Sequence, residues 1–287
     1  MREVIFEEFL DSLKIERVIL NNEQSMPSNY FPDEYEIYYL LNGEGNLFIE
    51  KETYNIKKGS LVLINKGQVH KISFSKGTLY ERIWIQSKEQ EFQLLFAIGE
   101  KESQNLDHYF TKFHGVFELN EKEQKHVESI LYEIAEEIRK KDSGYQWMAY
   151  VKLIEFFIFI IRRKSSIDLK NDKTLSPRHE KVEEIAEFIT RNFNTEQSLE
   201  QLSEQFGVNK NYLSRVFKET TGFTVAEYVN LQRMKKSREL LLDKSISIKE
   251  VSALLGYESI TYFGRIFKRY MGITPLKYRN KMLLQKQ

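Results

Sequence analysis

"LLGYESITYFGRIFKRYMGITPLKY" (Leu254–Tyr278) restates, with one extra residue in its turn, a pattern already written in "QFGVNKNYLSRVFKETTGFTVAEY" (Gln205–Tyr228). Ser203 matches Ser252 and Gly207 matches Gly256. Arg215, Phe217 and Lys218 then match Arg265, Phe267 and Lys268, and Gly222, Thr224 and Tyr228 match Gly272, Thr274 and Tyr278. In each copy a short helix carries apolar residues at helical spacing: Leu199, Leu202 and Phe206, then Ile248, Val251 and Leu255. Each stops at glycine, which takes the left-handed conformation of a helix end at no steric cost. A second helix follows at once, anchored by Leu213, Val216 and Phe217 or by Phe263, Ile266 and Phe267. Helix, tight turn and helix make a helix-turn-helix unit, whose second helix can enter a DNA major groove.

The outward face of that second helix follows by exclusion. Lys210, Asn211, Ser214 and Arg215 face out in the first copy, and Ile260, Thr261, Gly264 and Arg265 in the second, with Ser259 just ahead. Asn and Arg make bidentate contacts to adenine and guanine edges, while Ile and Thr can touch a thymine methyl. Lys218, Lys268 and Arg269 lie further along and suit phosphate. The helix "TVAEYVNLQRMKKSRELLLD" (Thr224–Asp243) would join the units, with Leu231, Met234, Leu241 and Leu242 packing on both. Its Arg233, Lys235, Lys236 and Arg238 stay charged, and Arg233 is counted with the DNA-contacting residues. Two units on one support can read successive major grooves about 34 Å apart. A protein-binding solenoid is the rival reading, but it needs about three repeats and two are visible.

Charge divides the same way. From Arg178 onward there are 19 Lys+Arg against 13 Asp+Glu, a net of +6, and the rest of the chain has 24 against 29, a net of −5. A basic part beside an acidic part fits a polyanion partner. The 287 residues fit about two domains. With no cysteine, disulfides and thiolate chemistry are excluded. The N-terminus "MREVIFEEFLDSLK" mixes charges into its apolar residues and does not read as a signal peptide. The run "LIEFFIFII" (Leu153–Ile161) is broken by Glu155 and falls short of the roughly 20 residues a bilayer requires. A cytoplasmic protein with no membrane partner is expected.

From about Glu16 to Ile85 the chain reads as short strands between glycine turns: Glu36–Leu41, Asn46–Glu50, Thr53–Ile56, Ser60–Ile64, His70–Phe74 and Leu79–Ile85. That spacing indicates a small β-barrel or sandwich. Two helices follow, at Asn120–Lys141 with Asn120 as N-cap, and at Tyr145–Lys164, which is apolar around most of its circumference. The second is expected to be covered by the barrel on one side and by another subunit on the other, with Phe156, Phe157, Phe159, Ile160 and Ile161 as dimer contacts. "SSIDLKNDKTLSP" (Ser165–Pro177) reads as a linker ending in a Ser176 cap and Pro177 at the first helical position. The fold class is therefore α+β: a domain over 1–164, a linker over 165–177, and an all-α domain over 178–287 with two helix-turn-helix units.

At "GYESITYFGRIFKRYMGITPLKYR" (Gly256–Arg279) and "RMKKSRELLL" (Arg233–Leu242) the chain resembles the AraC/XylS family of bacterial transcription regulators, with Ser237 where that family usually has alanine. The resemblance covers Arg178 to Met282. It implies seven helices and DNA contacts at Asn211, Ser214, Arg215, Thr261 and Arg265. Ile260 and Gly264 depart from the family's polar readers. Glu34–Ile72 resembles the family's cupin-type, jelly-roll sensor barrel. The resemblance further implies a homodimer, double-stranded DNA and RNA polymerase as partners, and a small-molecule effector of sugar-like type. An activator is expected.

Metal-dependent cupin enzymes combine two His and a Glu on one stretch with a later His. Here His70 holds the last place, but "YFPDEYE" (Tyr30–Glu36) has no histidine, so neither metal, cofactor nor catalysis is expected. A cupin enzyme fused to a protein-binding helical module is the alternative from another class. In "LYERIWI" (Leu79–Ile85), Tyr80, Arg82 and Trp84 share one face, as strands alternate. With Glu36, Tyr38, His70 and Tyr30 they form the expected effector pocket, aromatics beside polar groups.

Overall fold

The computed structural model describes residues 2–21, 32–74, 78–88, 114–166, 177–195 and 198–284. Among these residues nine strands come first: β1 (Arg2–Leu10), β2 (Leu13–Asn21), β3 (Tyr35–Asn42), β4 (Glu44–Ile49), β5 (Glu52–Lys57), β6 (Ser60–Ile64), β7 (His70–Phe74), β8 (Leu79–Ser87) and β9 (Gly115–Glu118). They form a six-stranded sheet, β1-β2-β8-β3-β6-β9, and a three-stranded sheet, β5-β4-β7. The sequence reading began the strands near Glu16, whereas the structure begins them at Arg2 and adds β9 after β8. β1 is an edge strand whose pairing shifts register between Val4 and Phe6, so its alternation is broken and its charges dominate.

Alternation assigns each sheet two different neighbours. Val18, Tyr38, Leu40, Val62 and Tyr80 of the larger sheet meet Leu47, Ile49, Ile56, Ile72 and Phe74 of the smaller one in a core between the sheets. On the larger sheet's other face, Ile37, Tyr39, Leu63, Ile83 and Ile85 pack under two helices, α1 (Glu121–Lys140) and α2 (Tyr145–Ser166). Asn120 and Glu123 cap α1 reciprocally, each side chain accepting the other's backbone N–H at 3.0 and 2.9 Å.

On α2 the expected dimer residues face the wrong way. Phe156, Phe157 and Ile160 are buried in the chain's own core, and Phe159 and Ile161 pack against it. A helix apolar all round carries no periodicity that says which face its own domain takes. The apolar side chains left in solvent are Trp147 (77% exposed), Met148, Val151 (54%) and Ile158.

Seven helices follow: α3 (Pro177–Arg191), α4 (Leu199–Gln205), α5 (Lys210–Thr221), α6 (Val225–Leu240), α7 (Ile248–Leu254), α8 (Ile260–Met271) and α9 (Pro275–Leu284). Pro177 opens α3, while Ser176 and nearly all of the expected linker lie outside the described residues. Leu202, Leu213, Val216 and Phe217 share one core with Val251, Leu255, Phe263, Ile266 and Phe267, and Leu231, Met234 and Leu241 join it from α6 and its C-cap. Leu242 is only half-buried. α6 stops at Leu240, short of the expected Asp243, whose carboxylate instead holds the Ser245 N–H at 2.8 Å.

The outer face of the small sheet is covered by this helical part. Phe48 of β4, 1% exposed, points away from Leu47 and Ile49 and packs edge-on against Phe223 and Tyr228, at 6.3 and 5.5 Å between centroids. Around it, Lys71 Nζ donates to the Gly222 carbonyl at 2.5 Å and the Thr53 N–H to Glu183 at 2.8 Å. At the β4–β5 turn, Glu50 takes Lys235 Nζ at 2.6 Å and the Val69 N–H at 2.9 Å, and its carbonyl accepts from the Tyr228 hydroxyl. Arg238 pairs with Asp33, and Lys51 with Glu187. These ion pairs are partly or wholly exposed and individually contribute little. Fully burying an aromatic such as Phe48 contributes about 1.5–3 kcal/mol, so the ring dominates the seat.

Phe48→Ala, a truncation of the kind that costs about 3–5 kcal/mol in packed cores, is therefore expected to uncouple the barrel from the helices. Calorimetry should show the two parts melting separately, with the barrel's own transition near its wild-type temperature. A barrel that melted first would place the ring in the barrel's interior instead.

Candidate DNA-reading surface and effector chamber

Both reading helices present their N-terminal turns to solvent. Asn209 caps α5, its side chain accepting the N–H groups of Asn211 and Tyr212 at 2.9 and 3.2 Å, and Ser259 caps α8. Lys210, Asn211, Ser214, Arg215 and Lys218 are exposed, as are Ser259, Ile260, Thr261, Arg265 and Lys268, and Gly264 is half-exposed. Lys210 pairs with Glu200. Arg215, Lys218 and Lys268 make no ion pair among the described residues, so their charges face solvent; Lys218 and Lys268 lie in the last turns of α5 and α8, where a cation suits the negative end of the helix dipole. Arg265 lies over the Tyr262 ring at 5.2 Å.

Arg233 sits differently. It is half-buried, donates to the carbonyls of Phe193 and Thr195 at 2.7 and 3.0 Å, and lies over the Tyr257 ring at 4.8 Å. It thus ties α6 to the loop after α3 and to the turn of the second unit. Gly256 completes this joint. Its φ is +77°, and a Cβ there would fall 2.2 Å from the Asn194 carbonyl oxygen. No other residue fits the turn, and the two units are locked where it meets that loop.

The second constellation lies between the sheets. His70 Nε2 sits 2.9 Å from the Glu36 carboxylate, and its Nδ1 is 3.0 Å from the Gln68 carbonyl oxygen. Tyr38 donates to the other Glu36 oxygen at 3.3 Å and stacks on Trp84 at 5.8 Å. The Arg82 guanidinium covers both rings, at 4.9 and 5.1 Å, and reaches Glu16 at 3.3 Å. Trp84 Nε1 is buried without a hydrogen-bond partner among the described residues. Tyr80 lies one step along β8, stacked on Phe74. Tyr30 lies outside the described residues. Burial alone would lower the His70 pKa, but the adjoining Glu36 carboxylate outweighs it and holds the pKa above the usual value. Burial keeps the Tyr38 hydroxyl protonated, with Glu36 adding to the shift.

The sequence reading missed Glu16. It is 1% exposed and also takes Arg2 and Lys14 at 2.9 Å. It missed the matched tyrosines Tyr212 and Tyr262 as well, both exposed on the reading helices, although the repeat itself aligned them. What this buried cluster offers is chemistry suited to a polar molecule with a flat or ring-like body: stacked aromatics, two carboxylates and a guanidinium. Among the described residues no three of His, Asp or Glu come together as metal ligands, and no helix is long and apolar enough to cross a membrane.

A β-sandwich with a polar cluster in its core, joined to two helix-turn-helix units, fits a DNA-binding transcription regulator with its own ligand-binding domain. Residues 16–135 match the model of the AraC-like ligand binding domain, and residues 202–281 match a helix-turn-helix domain model. The chain is 23% identical over 256 residues to the Msm operon regulatory protein of Streptococcus mutans, covering 87% of this chain and 85% of that one. It is 22% identical over 254 residues to the lactose operon transcription activator of Staphylococcus xylosus, covering 85% and 83%. Among solved structures, apo ToxT from Vibrio cholerae aligns over 95% of this chain and 98% of its own, at 18% identity and a TM-score of 0.42. The chain belongs to the AraC/XylS family of transcription regulators.

The raised His70 pKa gives a pH signature. Stability from the His70–Glu36 pair is complete below the unfolded value of 6.5 and is lost as pH rises through the higher folded value. His70→Gln should remove that slope. Thermal melts from about pH 5.5 to 8.5 should show wild type losing stability relative to the variant. Parallel curves would mean that folding leaves the His70 pKa where it stands in the unfolded chain.

Proposed function

We propose that this protein is an activator that works in the cytoplasm as a homodimer and is controlled by a neutral, sugar-like effector held between the sheets. In this reading residues 1–164 sense and dimerise, 165–177 connect, and 178–287 bind DNA and present the activator to RNA polymerase. No catalytic step is assigned to it. The carrying observation is that α6, which supports both reading units, is also bonded to Glu50, the residue after Ile49 of the core between the sheets. β4 is one strand thick: Ile49 faces the core between the sheets and Phe48 faces the DNA-binding helices. An effector that shifts β4 then favours one placement of those helices over another, which is what a ligand-driven population shift requires. The sugar-operon control named for the staphylococcal relative supports both the effector class and activation.

The effector residues are Glu36, Tyr38, His70, Tyr80, Arg82 and Trp84, with Glu16 added and Tyr30 retained from the sequence. The DNA residues are Lys210, Asn211, Ser214, Arg215, Lys218, Ser259, Ile260, Thr261, Gly264, Arg265 and Lys268. Arg233 is their brace. For the dimer, the exposed stripe Trp147, Met148, Val151 and Ile158 replaces the buried phenylalanines, with a second copy of the chain as its occupant.

Fragments bound from random DNA would test the function directly, by yielding a consensus with two half-sites. Arg215→Ala is expected to cost about 1–3 kcal/mol of specific binding and to relax one base position. Lys218→Ala should weaken all sequences alike and flatten the salt dependence. Val151→Glu should give a monomer in sedimentation while leaving the fold intact. Trp84 and Trp147 are the two tryptophans, so Trp147→Phe leaves Trp84 as the sole reporter. Its fluorescence should change with the right sugar from a panel and stay unchanged with that sugar once Glu36→Gln is added.

A further inference from the structure

The two reading helices are not built alike, and the difference centres on Gly264. Glycine inside a helix is less stable than alanine, so its presence calls for a local reason. The usual reasons are absent. Gly264 lies within α8 and is not among the residues of positive φ, and a Cβ there would have nothing within 4 Å. The fold therefore has room for a side chain at this position and no conformational need to lack one. The matching position in α5 is Ser214, which is exposed and polar.

Positions 260, 261, 264 and 265 share one helix face, because residues three to four apart stack along a helix. In α5 that face is Lys210, Asn211, Ser214 and Arg215, all hydrogen-bonding side chains. In α8 it begins with Ile260, an apolar side chain 45% exposed, followed by Thr261, which ends in a methyl and a hydroxyl. An exposed isoleucine at the tip of a groove-entering helix has no polar base edge to bond. The feature of the major groove it does match is the thymine C5-methyl, which stands out from the base edge.

We infer that the second unit recognises thymine methyl groups through Ile260 and Thr261, and that Gly264 is the gap that lets α8 sit close enough to reach them. The inference rests on the DNA-reading role proposed above. The first unit reads by hydrogen bonds, the second by apolar contact and close fit. Arg265, laid over Tyr262, supplies the second unit's polar anchor beside that gap.

The test uses the duplex that the wild-type full-length protein itself selects from random DNA. Arg265→Ala, read by footprinting, identifies the half-site under the second unit. Replacing thymidine by deoxyuridine there deletes only the methyl group. Each contacted methyl should account for about three- to fivefold in affinity, and the same replacement under the first unit should have little effect. In Ile260→Ala the penalty at its contacted thymine should disappear. Gly264→Ala should melt at or above the wild-type temperature yet bind the duplex about tenfold or more weakly. Equal binding of the thymidine and deoxyuridine duplexes would overturn the inference, as would wild-type affinity in Gly264→Ala. A lower melting temperature for Gly264→Ala would also overturn it, since the glycine would then serve the fold. If the wild type selects no duplex at all, the DNA-reading role itself falls, which is a different result.

Discussion

Tyr228 is held from every side. Its ring packs on Phe48 of β4, on Phe217 of α5 at 5.7 Å, and on Phe223 at 6.4 Å. Its hydroxyl meets Thr190 of α3 at 3.1 Å and donates to the Glu50 carbonyl. The hydroxyl thus bridges α3 and the β4–β5 turn, and a directional bond there fixes where the barrel can sit as well as that it sits. Its partner residue has a local reason to be firm. Glu50 has φ +55°, an uncommon conformation for a side-chain-bearing residue, and its N–H and carboxylate are both tied to Val69. The turn therefore presents its carbonyl and its charge from a fixed position.

The repeat shows what is particular about that contact. Tyr278 matches Tyr228 and packs on Phe267 at 5.4 Å just as Tyr228 packs on Phe217. Its hydroxyl, however, takes Arg238 of α6 at 3.3 Å in place of a barrel carbonyl. The glycines after the two reading helices differ in the same sense. A Cβ on Gly222 would strike Lys71 of β7, whereas one on Gly272 would meet nothing within 4 Å. Among the described residues, one duplicated sequence has thus produced one unit that the sensor holds by this tyrosine and glycine and one whose matching residues it does not touch.

Much of this was legible in the chain because it depends on local order. Glycine position and apolar spacing define a helix-turn-helix without reference to anything distant, and strand alternation placed Tyr80, Arg82 and Trp84 on one face. Contacts that form only on folding were not legible. Glu16 lies in "LKIERVILN" and reads as a solvated charge until β8 brings Arg82 beside it. Phe48 lies in "NLFIE" and reads as barrel core, because nothing local shows that both faces of β4 are buried. α2 was recognised as a helix, but the face given to a partner, with Phe156, Phe157 and Ile160, is the one its own domain buries. Choosing them needed the positions of α1 and the larger sheet.

The joint between the two units limits what the sensor can control. Arg233 binds two carbonyls of the loop after α3, and Gly256 fits against Asn194 of that same loop. Neither contact involves the barrel. Packed interfaces of this kind move as bodies and do not stretch. In the proposed reading, a change transmitted through Glu50 and Phe48 would act on α6 and carry both reading helices with it. The distance between half-sites is set by residues within the DNA-binding part. In the proposed reading the effector would act on how the assembled pair is offered to a duplex, so that half-site spacing and effector response would be governed by separate sets of side chains.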